Sequence, residues 1–193
     1  MPLFSKACKQ RDYMIYRTLG KTGCTLSRLG FGAMRLPMVD GGRGKVVNRE
    51  LAIPMIRRAF ESGVNYIDTA VGYCEQDSQR VVGEALEGWR DRVVVSTKNP
   101  YFGEDETTWR TNLENSLERL GIERIDLYLF HGITWRIYSD DIEPRVWKWM
   151  EKARNEGLVG HICCSFHDTN DALVKIADTG RFESITLQYN MLD

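Results

Sequence analysis

The chain has 193 residues, 42% of them hydrophobic, with 26 basic and 27 acidic residues and a net charge of -1. A chain of this length can bury the core of one domain, and it lacks the basic excess that is typical of nucleic-acid-binding proteins. No segment approaches the ~20 apolar residues of a membrane span, and the start does not resemble a secretory signal, so a cytoplasmic protein is predicted.

The chain is predicted to begin with a loose N-terminal extension over residues 1–13, which show no periodicity. The structural domain is then predicted over residues 14–193. Residues 15–19 and 24–27 favour short strands, and the glycine-containing turn 20–23 joins them. Together they predict a β-hairpin at the start of the domain.

A short strand is predicted at residues 29–32, followed by a glycine-rich loop over residues 39–45. From Asn48 the apolar residues recur with helical spacing, and Gly63 ends the pattern. Because Pro54 lies inside this pattern, the helix is expected to start late or to kink there.

Strands and helices alternate along the rest of the chain. Strands are predicted at residues 64–67, 93–98, 125–130, 160–165 and 184–188, and helices after a cap at residue 77 or 78, after a cap at residue 107 or 108, and at residues 143–156 and 168–178. Near-continuously apolar strands in this order predict a parallel sheet covered by helices. No GxGxxG turn follows the first strand, which disfavours a dinucleotide-binding sheet. The predicted fold is therefore an incomplete (β/α)8 barrel of the TIM type, with about six strands and five helices.

Polar residues end five successive predicted strands: Asp68, Lys98, His131, Ser165 and Gln188. Taken singly, each could be a solvated residue or could satisfy backbone groups. In a (β/α) barrel, however, the carboxyl ends of the strands form the active-site face. Five polar residues at these ends therefore indicate a common site.

Tyr73 follows Asp68 by five residues, in a loop expected to be opened by Gly72. A phenol donates its proton readily only when a nearby cation stabilises the phenolate, and Lys98 can supply that charge. Asp68 is the candidate counter-ion of Lys98. His131 could donate to a substrate oxygen or exchange a proton with Tyr73. These residues form a candidate set of donors around a polarised carbonyl.

The chain from about residue 14 to its end resembles the aldo-keto reductase family, through Asp68-Thr69-Ala70-x-x-Tyr73, a strand ending in Lys98, and Leu127-Tyr128-Leu129-Phe130-His131. Members of that family are NADPH-dependent enzymes built on a TIM barrel. The resemblance implies that Tyr73 is the general acid, that Asp68 and Lys98 tune it, and that His131 orients the carbonyl.

The same resemblance implies an NADP(H) site formed by Gly32, Ala33, Met34, Asp68, Ser165 and Gln188. Ser165 and Gln188 match positions that hold the nicotinamide carboxamide. Where many relatives have Ser-Asn, this chain has Ser165-Phe166, so one amide contact is expected to be absent or replaced by His167.

Residues 30–37 and 165–168 are most similar to a bacterial branch of the family that often carries a C-terminal ferredoxin-like iron–sulfur domain. The five cysteines are Cys8, Cys24, Cys74, Cys163 and Cys164. They are odd in number and form no CxxC pair, so no disulfide scaffold, metal site or iron–sulfur cluster is predicted in this chain. Cys163 and Cys164 are expected to be buried strand thiols.

The favoured function is NADP(H)-dependent reduction of aldehydes or ketones to alcohols, with a small-molecule carbonyl as substrate and neither nucleic acid nor membrane as partner. The alternative is a catalytically silent barrel that senses nucleotide or binds a protein. A TIM-barrel hydrolase or isomerase using Asp68 and His131 is weaker, because it gives Tyr73 and Lys98 no shared task.

A complete barrel takes about 250 residues, and the predicted strands stop after the sixth. The sequence therefore predicts a truncated barrel, or one that another chain or copy completes. Open sheet edges would also allow self-association.

Overall fold

A computed structural model describes residues 14–42, 44–103 and 105–191, so the predicted extension over residues 1–13 lies outside the described residues. The strands are β1 (Tyr16–Thr18), β2 (Thr25–Ser27), β3 (Phe31–Gly32), β4 (Met38–Asp40), β5 (Lys45–Val47), β6 (Tyr66–Asp68), β7 (Val94–Asn99), β8 (Ile125–Ile133), β9 (Val159–Phe166) and β10 (Ile185–Leu187). The helices are α1 (Arg49–Glu61), α2 (Ser78–Leu86), α3 (Glu106–Leu120), α4 (Trp135–Ile137), α5 (Trp147–Asn155) and α6 (Asn170–Asp178), with a 3₁₀ turn at Arg90–Arg92 and a π-helical segment at Tyr138–Val146 between α4 and α5. Over these residues, no helix is long and apolar enough to cross a membrane.

Six strands form one parallel sheet in the order β10-β9-β8-β7-β6-β3. Helical segments connect these strands, and α4, the π-helical segment and α5 follow one another without a break. The structure confirms the predicted incomplete (β/α) barrel, with six strands joined by five helical connections. The carboxyl ends of all six strands therefore lie at one edge.

The two faces of the sheet have different partners, because successive strand residues point to opposite sides. Residues on the outer face join the main core with the helices, among them Ile67, Val95, Tyr128, Phe130, Ile162 and Cys164. Residues on the inner face pack instead with the N-terminal hairpin, namely Tyr66, Val94, Leu127, Leu129 and Cys163 with Leu19 and Cys24. Position 68 on β6 and positions 96 and 98 on β7 continue this inner face.

The predicted N-terminal hairpin is confirmed as the antiparallel pair β1–β2. Asn65, just before β6, fixes it to the sheet by accepting from the Ser27 amide at 2.7 Å and donating to the Thr25 carbonyl at 2.9 Å. The Tyr16 hydroxyl adds a bond to the Gly63 carbonyl at 2.8 Å. These bonds hold the hairpin against the inner face of the sheet, toward the amino ends of the strands.

The prediction of a loop over residues 39–45 was wrong. The segment forms a second antiparallel hairpin, β4–β5, in which Val39 lies opposite Val46. The Gly41 amide donates to the Gly44 carbonyl at 2.7 Å and closes the turn. The glycines therefore form only the turn, while β-branched residues on either side favour strand.

Helix α1 begins at Arg49, which excludes the late start, one of the two alternatives expected at Pro54. Asn48 caps the helix by accepting from the Leu51 amide at 3.3 Å, which fixes the first turn before the proline is reached. Met55, expected on the inward stripe, is 41% exposed.

The helical stretch before β9 also begins earlier than predicted, at Trp135 rather than at residue 143. Thr134 caps it by accepting from the Ile137 amide at 3.2 Å. The π-helical segment that follows contains Pro144, and its buried residues are Tyr138, Ile142 and Val146. Proline favours the first turn of a helix, so Pro144 favoured a predicted start at residue 143, although the helical stretch continues through it.

Candidate active site

The structure places all five predicted strand-end residues at the carboxyl edge of the sheet. Asp68 ends β6, Lys98 is the penultimate residue of β7, His131 lies near the end of β8, Ser165 lies near the end of β9, and Gln188 directly follows β10. Asp68, Tyr73, Lys98 and His131 are brought together in one cluster. Ser165 lies beside that cluster, and Gln188 lines a separate cleft.

The Lys98 ammonium is the centre of the cluster. Its Nζ donates to Asp68 Oδ2 at 2.5 Å, to the Thr69 carbonyl at 2.9 Å and to the Tyr73 hydroxyl at 3.3 Å. Lys98 is only 2% exposed, so its charge acts in a poorly solvated site. An ammonium has three N–H donors, and here each has an acceptor. The charge is therefore fixed directly beside the phenol oxygen.

The His131 ring lies next to Tyr73, with ring centroids 5.8 Å apart and an edge-on angle of 81°. Burial lowers the pKa of His131, and the Lys98 charge lowers it further, while Asp68 acts in the opposite direction. His167 has a smaller lowering effect. The imidazole is therefore neutral at neutral pH, and it can donate through only one ring nitrogen.

We expect the His131 imidazole to titrate below pH 6.5 in an NMR titration of the folded chain. Because the unfolded state takes up this proton at higher pH than the folded state, the free energy of unfolding should fall as pH drops below about 6.5. A His131→Gln variant should lose this part of the acid sensitivity. A His131 midpoint above 6.5 would contradict the burial and charge effects described for this ring.

Gly132 links His131 to Ser165. Its φ of 68° is left-handed, which favours glycine, and the register between β8 and β9 is irregular between Phe130 and Ile133. The Gly132 amide donates to Ser165 Oγ at 2.7 Å. Because Ser165 acts as the acceptor, its own O–H is available to another acceptor on the inner face.

Gln188 is exposed and lines a cleft of about 280 Å³ between the ends of β9 and β10. The cleft is lined by Phe166, His167, Asp168, Asn170, Leu173, Leu187 and Gln188. His167, expected as a substitute for the Asn of relatives, is exposed on its wall. Phe166, the residue directly after Ser165, is one of those that line the cleft.

The first loop reaches the cluster through Gly32 and Ala33. Gly32 is the register partner of Asp68, and a Cβ there would meet nothing within 4 Å. The Ala33 amide donates to the Asp68 carbonyl at 2.8 Å, and Ala33 is fully buried. Met34 is 47% exposed. Gly32 therefore leaves open space beside the Asp68 carboxylate.

The loop after Tyr73 has an unusual backbone. Cys74, Glu75 and Gln76 have φ values of 51°, 53° and 70°, whereas Gly72, expected to open the loop, does not have positive φ. Left-handed conformations cost non-glycine residues on the order of 1 kcal/mol each and persist only where the surroundings hold them. This turn could not be predicted from residue type, because none of the three residues is a glycine.

Asp77 attaches this loop to the second hairpin. Its carboxylate accepts from the Val47 amide at 2.9 Å and from both terminal nitrogens of Arg49 at 3.0 Å. The Arg49 guanidinium holds the pKa of Asp77 below its usual value. Asp77, expected as a possible helix cap, makes no side-chain cap bond to α2 and binds the hairpin instead.

We expect Asp77→Asn to lower the free energy of unfolding by about 1 to 2 kcal/mol, because it weakens charge-assisted bonds to Val47 and Arg49. Glu87→Gln is a matched control: Glu87 is 87% exposed and meets Arg57 at 3.5 Å, so its loss should change stability by less than about 0.5 kcal/mol. Chemical denaturation measures both. Equal stability losses in the two variants would contradict the role given to Asp77.

The cysteines of the sheet are buried, as predicted. Burial raises the pKa of Cys163 to about 11 and also raises the pKa of Cys164. Cys74, beside Tyr73, is half-buried, and its Sγ lies 3.4 Å from the Met34 carbonyl oxygen. Among the residues that the structure describes, no group of three His, Cys, Asp or Glu side chains is placed to hold a metal ion.

Sequence comparison finds one matching family model. Residues 28–193 match the model described as the aldo/keto reductase family. An NADH-specific methylglyoxal reductase of Escherichia coli is 29% identical over 194 residues, covering 91% of this chain and 59% of the relative. A methylglyoxal reductase of Salmonella typhimurium is 34% identical over 146 residues, covering 74% of this chain and 50% of the relative. The chain thus spans between half and three fifths of these relatives' length.

Solved structures show the same architecture. The holo form of an aldo-keto reductase from Bacillus halodurans aligns with a TM-score of 0.76 and 27% identity, covering 92% of this chain and 58% of that one. An aldo-keto reductase from Klebsiella pneumoniae, solved in complex with NADPH, aligns with a TM-score of 0.70 and 26% identity, covering 91% and 59%.

Proposed function

Because this chain belongs to the aldo/keto reductase family, we propose that it forms the catalytic part of an NADP(H)-dependent oxidoreductase that reduces small aldehydes or ketones to alcohols. The observation that carries the proposal is the Lys98 ammonium, bound at once to Asp68 Oδ2 and to the Tyr73 hydroxyl. The methylglyoxal reductases among its relatives support a small carbonyl as substrate.

Tyr73 is the proposed general acid. Its O–H gives a proton to the carbonyl oxygen, and the phenolate that remains is stabilised by the Lys98 ammonium at 3.3 Å. Asp68 accepts a hydrogen bond from that ammonium and holds it in place. Neutral His131, beside the Tyr73 ring, donates a hydrogen bond to the same oxygen and orients the carbonyl. The substrate oxygen thus becomes the hydroxyl of the alcohol.

A nicotinamide cofactor, when bound, supplies the hydride that the carbonyl carbon accepts. The residues at the strand ends fit such a group: Gly32 leaves open space beside Asp68, and Ser165 has an O–H donor left for a carboxamide oxygen. Gln188 lines the next cleft, where its amide can donate and accept. We propose that Gly32, Ala33, Met34, Asp68, Ser165 and Gln188 hold the cofactor.

NADPH binding and turnover test the proposal separately. Tryptophan fluorescence follows binding of NADPH and, in a parallel titration, of NADH; absorbance at 340 nm then follows NADPH oxidation with methylglyoxal as substrate. We expect saturable binding with preference for NADPH, and oxidation that depends on the aldehyde. Absence of binding at millimolar NADPH would contradict the proposal and favour a catalytically silent, protein-binding module. Binding without oxidation would favour a nucleotide-sensing one.

We also propose that two copies associate through strand edges. In the described sheet, β3 and β10 are the end strands, so each has one neighbour. Thr186 and Leu187 of β10 are exposed, and unpaired strand edges of this kind favour pairing. Sedimentation velocity should show a dimer whose fraction rises with concentration. A monomer at every concentration tested would contradict this association.

A further inference from the structure

A second hydrogen bond holds Asp68, and its donor is Ser96. The Ser96 hydroxyl donates to Asp68 Oδ1 at 2.8 Å, while Lys98 holds the other carboxylate oxygen. Ser96 is the register partner of Asp68 on the neighbouring strand, and Lys98 follows two residues later on the same face. The two donors therefore bind the two oxygens of one carboxylate from a single rigid strand.

Burial keeps water from replacing the Ser96 hydroxyl as the donor in this hydrogen bond. Ser96 is fully buried, and the Asp68 side chain is 20% exposed. Water cannot readily replace the Ser96 hydroxyl there, so without it Asp68 Oδ1 would lack a donor. A carboxylate held at one oxygen alone is free to rotate about its last side-chain bond.

We propose that Ser96 is a positioning residue that fixes the Asp68 carboxylate so that Oδ2 stays on Lys98. This inference rests on the proposed roles of Asp68, Lys98 and Tyr73. All three N–H donors of Lys98 have acceptors in the structure, and Asp68 Oδ2 is the nearest of them. Ser96 thereby keeps the ammonium on the phenol oxygen, although it contacts neither Lys98 Nζ nor Tyr73 in the described bonds.

The direct test is ¹⁵N NMR of the Lys98 ammonium, assigned with Lys98→Arg. In the parent chain its protons should exchange slowly with water, because every one is hydrogen-bonded. Ser96→Ala should speed this exchange about tenfold, the effect of one lost hydrogen bond of ordinary net strength. Ser96→Thr, which keeps the hydroxyl, should exchange as slowly as the parent. Exchange in Ser96→Ala within twofold of the parent would overturn the proposal.

Ser116→Ala is the matched control. Ser116 is also fully buried and donates to the Asn112 carbonyl at 2.8 Å, but it lies on α3, on the helix side of the sheet. Ser116→Ala should leave the exchange of the Lys98 ammonium protons with water unchanged. If Ser116→Ala speeds that exchange as much as Ser96→Ala does, the effect comes from a general loss of stability, and the proposal is overturned. If Ser96→Ala does not fold, Ser96→Cys provides the test, since a thiol is only a weak donor.

Turnover gives a second readout. Ser96→Ala should lower kcat about tenfold and leave KM for the carbonyl within twofold, with recovery in Ser96→Thr. If Ser96→Ala speeds the exchange of the Lys98 ammonium protons but leaves kcat unchanged, Ser96 is not a positioning residue for the reaction, and the proposal is overturned. If the parent chain itself shows no turnover, the reductase proposal fails, while Lys98 exchange still decides whether Ser96 fixes Asp68.

Discussion

Tyr73→Phe should lower kcat for carbonyl reduction by about 10²- to 10⁴-fold, the usual contribution of a positioned general acid. The phenylalanine ring fills the same space beside His131, so only the hydroxyl 3.3 Å from Lys98 Nζ is lost. Binding of NADPH, measured by tryptophan fluorescence, should stay within about threefold of the parent, because the proposed cofactor contacts are made by other residues.

Tyr128→Phe is the control for this substitution. Tyr128 is fully buried on the outer face of β8, against the helices, so the same deletion there should leave kcat unchanged. Equal turnover in Tyr73→Phe and the parent would exclude Tyr73 as the acid. A loss of kcat in Tyr128→Phe as large as that in Tyr73→Phe would show that the assay reports packing rather than proton donation.

Lys98→Met should abolish turnover and lower the free energy of unfolding by about 3 kcal/mol. The substitution leaves the Asp68 carboxylate at a site where only 20% of its side chain is exposed, without the ammonium that lies 2.5 Å away. Removing one partner of a buried ion pair is strongly destabilising, because the remaining charge has no counter-ion. Urea denaturation measures the stability, and NADPH oxidation measures the turnover.

The double variant Asp68→Asn/Lys98→Met separates the two effects. Neutralising the remaining carboxylate should restore part of the lost stability, since no unpaired charge is then buried. Turnover should stay absent, because the cation beside Tyr73 is still missing. A double variant that is less stable than Lys98→Met, or one that reduces the substrate, would contradict the roles given to the pair.

The order of strands and helices could be predicted because buried apolar residues recur along the chain with the period of each element. Apolar runs at Val93 and at Ile125 predicted strands, and the structure has β7 and β8 there. Because the strands of such a barrel are parallel, the residues at their carboxyl ends lie on the same face. Asp68, Lys98 and His131 could therefore be placed at one edge from sequence pattern and family resemblance together.

Features that depend on long-range contacts could not be predicted. The left-handed turn at residues 74–76 lies beside a hairpin that was expected to be a loop, and Asp77 joins the two by accepting from the Val47 amide. Ser96 looked like an ordinary strand residue, because its bond to Asp68 depends on the register between β6 and β7. Apolar periodicity shows which face of a strand is buried, but it does not show which residue of a parallel neighbouring strand lies opposite Asp68.

The most direct test of the site is a crystal structure of this chain with NADPH and acetate, a small carboxylate that mimics a carbonyl substrate. The proposed chemistry places one acetate oxygen within hydrogen-bond distance of both the Tyr73 hydroxyl and the His131 ring, with Lys98 Nζ still on Tyr73 and Asp68. A Tyr73 hydroxyl turned away from both acetate and Lys98 in that complex would contradict proton donation by this phenol.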